Sequence, residues 1–147
     1  MNCINGKTLY ARGADENVIS VFIGSKKTDR KISVRDRVIV RANSSASYTL
    51  WNTELVRRLT DGRIWIYITG CNDMDQAYYH GYGRRKNVAM TQTTKNRLNC
   101  FLQYYGFNTL EVHSNKKLFG VWHNGKELEN NTWYELDFTG KELVKIN

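Results

Sequence analysis

The sequence has no proline, only three cysteines and no long apolar run. Cys3, Cys71 and Cys100 are an odd number at long spacings without a C-x-x-C pair, which argues against a disulfide framework and against a zinc site. The first ten residues lack the apolar stretch of a secretory signal, and no run approaches the ~18 apolar residues that would cross a bilayer. We therefore expect a cytoplasmic protein with reduced thiols that is neither exported nor membrane-embedded.

Motifs of common catalytic and cofactor sites are also missing. The chain has no G-x-S-x-G, no Walker A motif, no G-x-G-x-x-G after a predicted strand and no H-E-x-x-H. Asp73 and Asp75 form a D-x-D pair, but no third acidic residue lies near enough in the sequence to complete an oxygen-rich metal site. We expect no cofactor and no metal, and the missing motifs favour a protein that is not an enzyme.

The length and composition are those of one globular domain. Of the 147 residues, 41% are apolar and 12% aromatic, and they are spread along the whole chain. A domain of about 150 residues buries roughly 68 to 70% of the surface that its unfolded chain exposes, so a sizeable core is available. We predict a single domain over residues 1–147, and the sequence leaves its oligomeric state open.

The charge is strongly positive and unevenly distributed. Lysine and arginine number 22 against 14 acidic residues, which gives a net charge of +8. Residues 1–97 hold 17 basic and 8 acidic side chains, whereas residues 98–147 hold 5 and 6. Such asymmetry gives one side of a protein a positive potential, which favours polyanionic partners such as DNA, RNA or a nucleoprotein.

Glycine-containing dipeptides take the place of proline as turn signals. They are Asn5-Gly6, Asp61-Gly62, Asn124-Gly125 and Thr139-Gly140. The first three suit two-residue type I′ hairpin turns, in which both central residues need positive φ. Together with one amphipathic segment they predict an α+β fold, a hairpin-rich antiparallel sheet with one main helix, about 94–105, packed on it.

Two stretches in the first third of the chain read as strands. Residues 18–23 (VISVFI) form an apolar run typical of a buried strand. Residues 31–41 alternate, and one face carries apolar side chains that we expect in the core: Ile32, Val34, Val38 and Val40. The other face carries a row of cations, among them the candidate binding residues Arg35, Arg37 and Arg41.

A hairpin is predicted for residues 53–60 and 63–69 around Asp61-Gly62. A two-residue loop would place Arg58 opposite Trp65. The second candidate contact patch, beside the row of cations, then consists of Arg57, Arg58, Arg63 and Trp65. The other tryptophans, Trp51, Trp122 and Trp133, are assigned to the core or to hairpins.

The main helix is predicted for residues 94–105. Its apolar side chains fall at helical spacing: Leu98, Phe101, Leu102 and Tyr105. Thr93 is the expected N-cap, and Gly106 stands where a helix commonly ends in the left-handed conformation. Short strands are expected afterwards, around residues 118–122, 133–138 and 143–146.

The segment 73–90 is rich in tyrosine, glycine and arginine and joins a predicted strand to the helix. Its candidate binding residues combine aromatic faces for bases with cations for phosphates: Tyr78, Tyr79, Tyr82, Arg84, Arg85 and Lys86. A connection of this length is uncommon without a function of its own. We predict that this segment contacts a nucleic acid or a nucleoprotein.

His80, in the same segment, is the candidate for a catalytic residue. A metal-independent nuclease needs a general base, a general acid and a cation at the phosphate, and His80 with Tyr82, Arg84 and one remote histidine could supply them. His113 and His123 are the remaining histidines. A small nuclease is therefore one alternative function.

Short motifs between residues 47 and 105 carry a family resemblance. They are Ser47-Tyr48, Asn52-Thr53, Asp61-Gly62, Ile64-Trp65-Ile66, and Thr93-Thr94 followed by Leu98. The pattern resembles small uncharacterised proteins of tailed bacteriophages. The resemblance implies an accessory factor in the host cytosol that binds and inhibits a host nucleoprotein or defence nuclease, as anti-CRISPR proteins do.

Other functions remain open beside this one. The same cations would serve sequence-tolerant binding of DNA or RNA, with an affinity that falls steeply with salt. In a closed pocket instead of an open stripe they would make a sponge for anionic signalling nucleotides. None of these hypotheses involves a membrane.

Overall fold

The computed structural model describes the backbone of residues 2–4, 7–9, 14–75, 77, 79–81 and 84–146, and the side chains of residues 16–75, 77 and 87–146. Its helices are α1 (Ala14–Phe22) and the longer α2 (Gln92–Tyr104). The strands are β1 (Asn2–Ile4), β2 (Lys7–Leu9), β3 (Thr28–Lys31), β4 (Asp36–Val40), β5 (Ala46–Leu50), β6 (Thr53–Arg58), β7 (Ile64–Ile68), β8 (Tyr79–Gly81), β9 (Arg84–Lys86), β10 (Glu111–Ser114), β11 (Phe119–His123), β12 (Lys126–Leu128), β13 (Thr132–Asp137) and β14 (Glu142–Lys145).

The strands form one large sheet and three small ones. Seven antiparallel strands follow the order β14-β13-β7-β6-β5-β4-β3. A three-stranded sheet has the order β10-β11-β12, and β1-β2 and β8-β9 are hairpins. The predicted fold class is confirmed: an α+β protein with a hairpin-rich antiparallel sheet and one main helix.

The core lies between one face of the large sheet and the helices. Tyr48, at the centre of β5, is fully buried, and its ring lies 5.6 Å from that of Phe101 on α2. Phe101 in turn meets Phe22 of α1 at 5.0 Å in an edge-to-face contact. Among the described residues, no helix is long and apolar enough to span a bilayer.

Residues 18–22 belong to helix α1 and Ile23 follows its end, so the prediction of a buried strand over residues 18–23 was wrong. Val18, Ile19 and Phe22 are buried and Ser20 is exposed. Buried positions at i, i+1 and i+4 follow the helical period, so the segment turns one face to the core. A short apolar run of β-branched residues does not distinguish a strand from a buried helix.

Helix α2 begins earlier than predicted. Its N-cap is Thr91, not Thr93, and the Thr91 hydroxyl accepts a hydrogen bond from the backbone N–H of Thr94. At the other end Gly106 has a φ of 84°, as expected for a left-handed helix end. Leu98 and Phe101 are buried as predicted.

Residues 31–41 form two strands and not one. Strand β3 ends at Lys31, and a tight turn follows in which the backbone N–H of Ile32 donates to the carbonyl of Asp36 at 2.8 Å. Val34, expected in the core, lies in this turn and is 79% exposed. Val38 is fully buried as predicted, because only the residues after the turn keep the alternation of a strand.

The hairpin of β6 and β7 is shifted by one residue from its predicted register. The N–H of Leu59 donates to the carbonyl of Arg63, and Gly62, with a φ of 92°, donates back to Leu59. The loop therefore holds three residues, a type I turn followed by a left-handed glycine. Arg57, and not Arg58, stands opposite Trp65.

One predicted glycine turn is confirmed in full. Asn124 and Gly125 have φ values of 51° and 78° and join β11 to β12 as a two-residue loop. The loop after β13 is longer and places Lys141, not Gly140, in the left-handed region. Asn5 and Gly6 lie outside the described residues.

Candidate functional site

The face of the large sheet that is turned away from the helices is called the open face here. Opposed residues of neighbouring strands point to the same side, so the register places Arg37 beside Lys31 and Thr49 in one row. The next row carries Ile39, Ser47, Arg57, Trp65 and Glu135. Residues of one face repeat about every 6.8 Å along a strand, so the two rows are neighbours.

The open face has a basic half and an acidic half. Strands β3 to β6 and their turns contribute the cations Lys31, Arg35, Arg37, Arg41 and Arg57, against Asp29 and Glu54. Strands β13 and β14 contribute the acids Glu135, Asp137 and Glu142, of which Glu135 is paired with Arg63 at 3.2 Å. A polyanion is therefore attracted to one half of this face and repelled by the other.

Two of the cations in the basic half are paired with carboxylates. Arg37 donates from Nε and Nη2 to Asp29 at 2.8 and 2.6 Å, and this hydrogen bonding lowers the pKa of Asp29. Arg57 pairs with Glu54 at 2.5 Å and lies 4.6 Å from the ring centre of Trp133. The Arg37–Asp29 pair is exposed, and exposed pairs contribute little to stability, so a phosphate can replace the Asp29 carboxylate at small cost.

A cleft of about 640 Å³ lies at the end of the open face where two turns meet. One turn joins β3 to β4, the other joins β5 to β6, and the N–H of Trp51 links them by donating to the carbonyl of Arg35 at 2.9 Å. We call this cleft the turn cleft. Its lining consists of Asp29, Lys31, Val34, Arg35, Asp36, Arg37, Thr49, Trp51 and Asn52, and both acids are paired with arginines, Asp29 with Arg37 and Asp36 with Arg97.

Trp51 is the most unusual residue of the turn cleft. It is 62% exposed, whereas we expected the tryptophans in the core or within hairpin pairs. Trp51 and Asn52 have φ values of 51° and 78°, and Leu50 pairs with Thr53, which makes a two-residue turn of the type I′ class. A bulky side chain is rare in the left-handed region, so a tryptophan is not a residue that predicts a turn of this type.

Lys31 and Arg35 are the unpaired cations of the turn cleft. Both are exposed, and neither donates to a carboxylate within the described part of the chain. Arg35 belongs to the same turn as the exposed Val34. The turn cleft thus combines an aromatic face, an aliphatic side chain and free positive charge.

A buried ion pair fixes the turn that carries Val34 and Arg35. Arg97 of α2 donates to both carboxylate oxygens of Asp36, at 2.8 and 3.0 Å. The hydroxyls of Ser33 and Tyr48 donate to the same carboxylate. Burial raises the pKa of Asp36, but the hydrogen bonds from Arg97, Ser33 and Tyr48 outweigh it and hold that pKa below its ordinary value.

The predicted contact residues of the sheet are only partly brought together. Arg35 and Arg37 line the turn cleft, and Arg41 bonds the Ser47 hydroxyl at 3.2 Å farther along the open face. Trp65 lies on the open face, half-buried, and donates its indole N–H to Glu135 at 2.8 Å.

Arg58 does not stack on Trp65 as predicted. The one-residue shift of the hairpin turns it to the opposite side of the sheet. There its guanidinium donates to the backbone carbonyls of Phe22 and Ser44, both at 2.8 Å, and lies 5.3 Å from the Phe22 ring centre. Arg58 therefore holds helix α1 against the sheet.

The predicted contacts of the 73–90 segment fall largely outside the described residues. Tyr78 and Tyr82 are not described at all. The backbone of β8 pairs with β9, with Tyr79 opposite Lys86, His80 opposite Arg85 and Gly81 opposite Arg84. The side chains on these strands lie outside the described part, so their roles stay predictions.

The remaining histidines offer no exposed catalytic pair. His123 is buried, and its Nε2 lies 2.9 Å from the carbonyl oxygen of Asn108. His113 lies 3.7 Å from Glu111, with its ring against Trp122. No group of three or more potential metal ligands occurs in the described ranges.

Comparison with known proteins adds no relative. No protein-family model, no curated protein and no solved structure matches this chain. The chemistry of the described surfaces is therefore what indicates a function.

Proposed function

We propose that this chain is a nucleic-acid-binding protein that holds a phosphate backbone on the basic half of its open face and in the turn cleft. The observation that carries the proposal is the combination at the turn cleft of two unpaired cations, Lys31 and Arg35, with the exposed ring of Trp51. Cations beside aromatic faces are the chemistry by which proteins bind nucleic acids without reading sequence.

The charge pattern of the open face gives the bound strand a path. Asp137 and Glu142 repel phosphates from strands β13 and β14, where Glu135 is already paired with Arg63, while the other cations lie on β3 to β6. A strand would enter at the turn cleft and continue past Arg37 toward Arg41. Its contacts go mainly to phosphates, so we expect little preference for base sequence.

A titration with a fluorescent oligonucleotide tests the proposal. With about three to five phosphate contacts to a single strand, a rise from about 50 to about 200 mM salt should weaken binding roughly 20- to 100-fold. Fluorescence anisotropy at both salt concentrations measures this change. Absence of binding at the lower salt, or an affinity that does not respond to salt, would contradict the proposal.

The more specific activity, inhibition of a host nucleoprotein or defence nuclease, extends the same proposal. A guide RNA held in a nuclease presents the same phosphates to the basic half of the open face. A pull-down from host lysate, half of it treated with nuclease, separates the cases. A defence nuclease that stays bound after treatment supports inhibition through protein contacts, and recovery of nucleic acid alone, lost on treatment, supports simple binding.

A further inference from the structure

We infer that the turn cleft takes an unpaired nucleobase stacked on the indole of Trp51, so that the protein distinguishes single strands from duplexes. This inference depends on the proposed nucleic-acid binding and adds the form of nucleic acid that is bound. Three features of the cleft support it: the size of the cleft, its exposed apolar side chains and the backbone conformation of Trp51.

The turn cleft has the size and lining that a nucleotide needs. Pockets for small ligands are about 300 to 1,000 Å³ and combine apolar walls with a few polar groups, and this cleft measures about 640 Å³. Val34, 79% exposed, and Trp51, 62% exposed, supply the apolar surface. Lys31 and Arg35 supply cations for the phosphates on either side of the base.

The backbone of Trp51 indicates that this side chain does not serve the fold. A residue other than glycine or asparagine in the left-handed region costs roughly 1 to 2 kcal/mol. Trp51 accepts that cost at a φ of 51° while most of its side chain stays in water. Strain that packing does not repay is characteristic of binding sites, and tryptophan offers a large flat surface for a base.

A duplex offers Trp51 no such partner. In a duplex the faces of the bases are stacked on each other, and exposing one requires unpairing and unstacking it. The bases of a single strand are free to stack on aromatic side chains, and each stacked base adds to the free energy of binding. The phosphates alone are common to both forms, so Trp51 supplies the discrimination.

Two variants at one position separate stacking from folding. Trp51→Asn removes the ring and introduces a residue that type I′ turns favour, so its melting temperature should equal or exceed that of the wild type. Trp51→Phe retains an aromatic face. The probes are oligothymidylate, an abasic strand of the same length, and a duplex of the same length.

The expected pattern is specific to an unpaired base. Trp51→Asn should bind oligothymidylate roughly 5- to 150-fold more weakly than the wild type, from the range that stacking contributes per base. Trp51→Phe should stay within a few-fold of the wild type. The wild type should lose a similar factor on the abasic strand, a measurement that involves no variant, and Trp51→Asn should lose several-fold more affinity for oligothymidylate than for the duplex.

The outcomes distinguish this inference from the proposed function. Equal binding of oligothymidylate and the abasic strand by the wild type overturns the inference and leaves phosphate binding in place. An equal loss for single strand and duplex in Trp51→Asn also overturns it, since the ring would then contact something other than an unpaired base. If the wild type binds none of the three probes, the proposed function itself fails.

Discussion

Replacing Arg97 with methionine is expected to lower the free energy of unfolding by about 3 to 5 kcal/mol. The change leaves the carboxylate of Asp36 fully buried without the guanidinium that neutralises it and donates two hydrogen bonds to it. Removing one partner of a buried pair is costly because the remaining charge has no water to solvate it. The loss should appear in urea unfolding at neutral pH.

A neighbouring residue gives the matched control for Arg97→Met. Lys95 lies on the same helix and is only half-buried. Lys95→Met therefore removes one positive charge from α2 without leaving a buried carboxylate unpaired. We expect its unfolding free energy to stay within about 1 kcal/mol of the wild type. A loss of similar size in both variants would mean that the buried pair is not the cause.

The pair of Arg97 and Asp36 also makes the free energy of unfolding depend on pH. The pKa of Asp36 in the folded protein lies below its ordinary value of 3.8, so the folded state binds that proton less readily than the unfolded state. Its contribution to stability is complete above about pH 4 and is lost as the pH falls further. The difference in unfolding free energy between the wild type and Asp36→Asn should therefore shrink below that pH.

Reversing the two unpaired cations of the turn cleft should have the largest effect on binding. Lys31→Glu with Arg35→Glu removes two phosphate contacts and puts negative charge beside Trp51. We expect roughly 10- to 100-fold weaker binding near ~100 mM salt, and a slope of log affinity against log salt that is less steep by about 1.4. Anisotropy titrations over a range of salt concentrations measure both quantities.

The chain supplies a control with the same change in net charge. Lys116 and Lys117 are exposed in the turn between β10 and β11, and they do not line the turn cleft. Lys116→Glu with Lys117→Glu should change affinity only slightly, through the long-range field. Equal losses in the two double variants would show that net charge, and not the turn cleft, determines binding.

Local sequence signals predicted the elements whose stability is itself local. Helix α2 has apolar residues at helical spacing and a left-handed glycine at its end, and both appear in the structure. Asn124-Gly125 makes its two-residue turn because both residues tolerate positive φ. Helix α1 was missed because residues 18–23 contain β-branched side chains whose helical state is set by packing against the core.

The register of the β6–β7 hairpin could not be read from Asp61-Gly62 alone. The same dipeptide fits a two-residue turn or the end of a three-residue loop, and the choice decides which arginine faces Trp65. The wrong choice placed Arg58 on the open face in place of Arg57. In the register adopted, Val56 of β6 lies opposite Ile66, and both side chains are fully buried.

Of the residues at the candidate site, only cations were predicted from the sequence. Arg35 and Arg37 were identified from the alternation of residues 31–41, but the turn that brings them to Trp51 interrupts that pattern. Trp51 carried no turn signal of its own, and the one hint was the asparagine that follows it. The ion pair that holds the turn of Val34 and Arg35 joins Arg97 to Asp36, which are 61 residues apart in the sequence, so no local pattern predicts it.

A heteronuclear NMR titration of the wild-type protein with a single-stranded oligonucleotide locates the bound strand on the surface. If the strand lies in the turn cleft, the indole N–H of Trp51 and the backbone amides of residues 31–37 and 49–52 shift most, while residues 110–118 stay unchanged. Shifts concentrated on residues 110–118 or on helix α2, with the Trp51 indole unmoved, would contradict binding in the turn cleft.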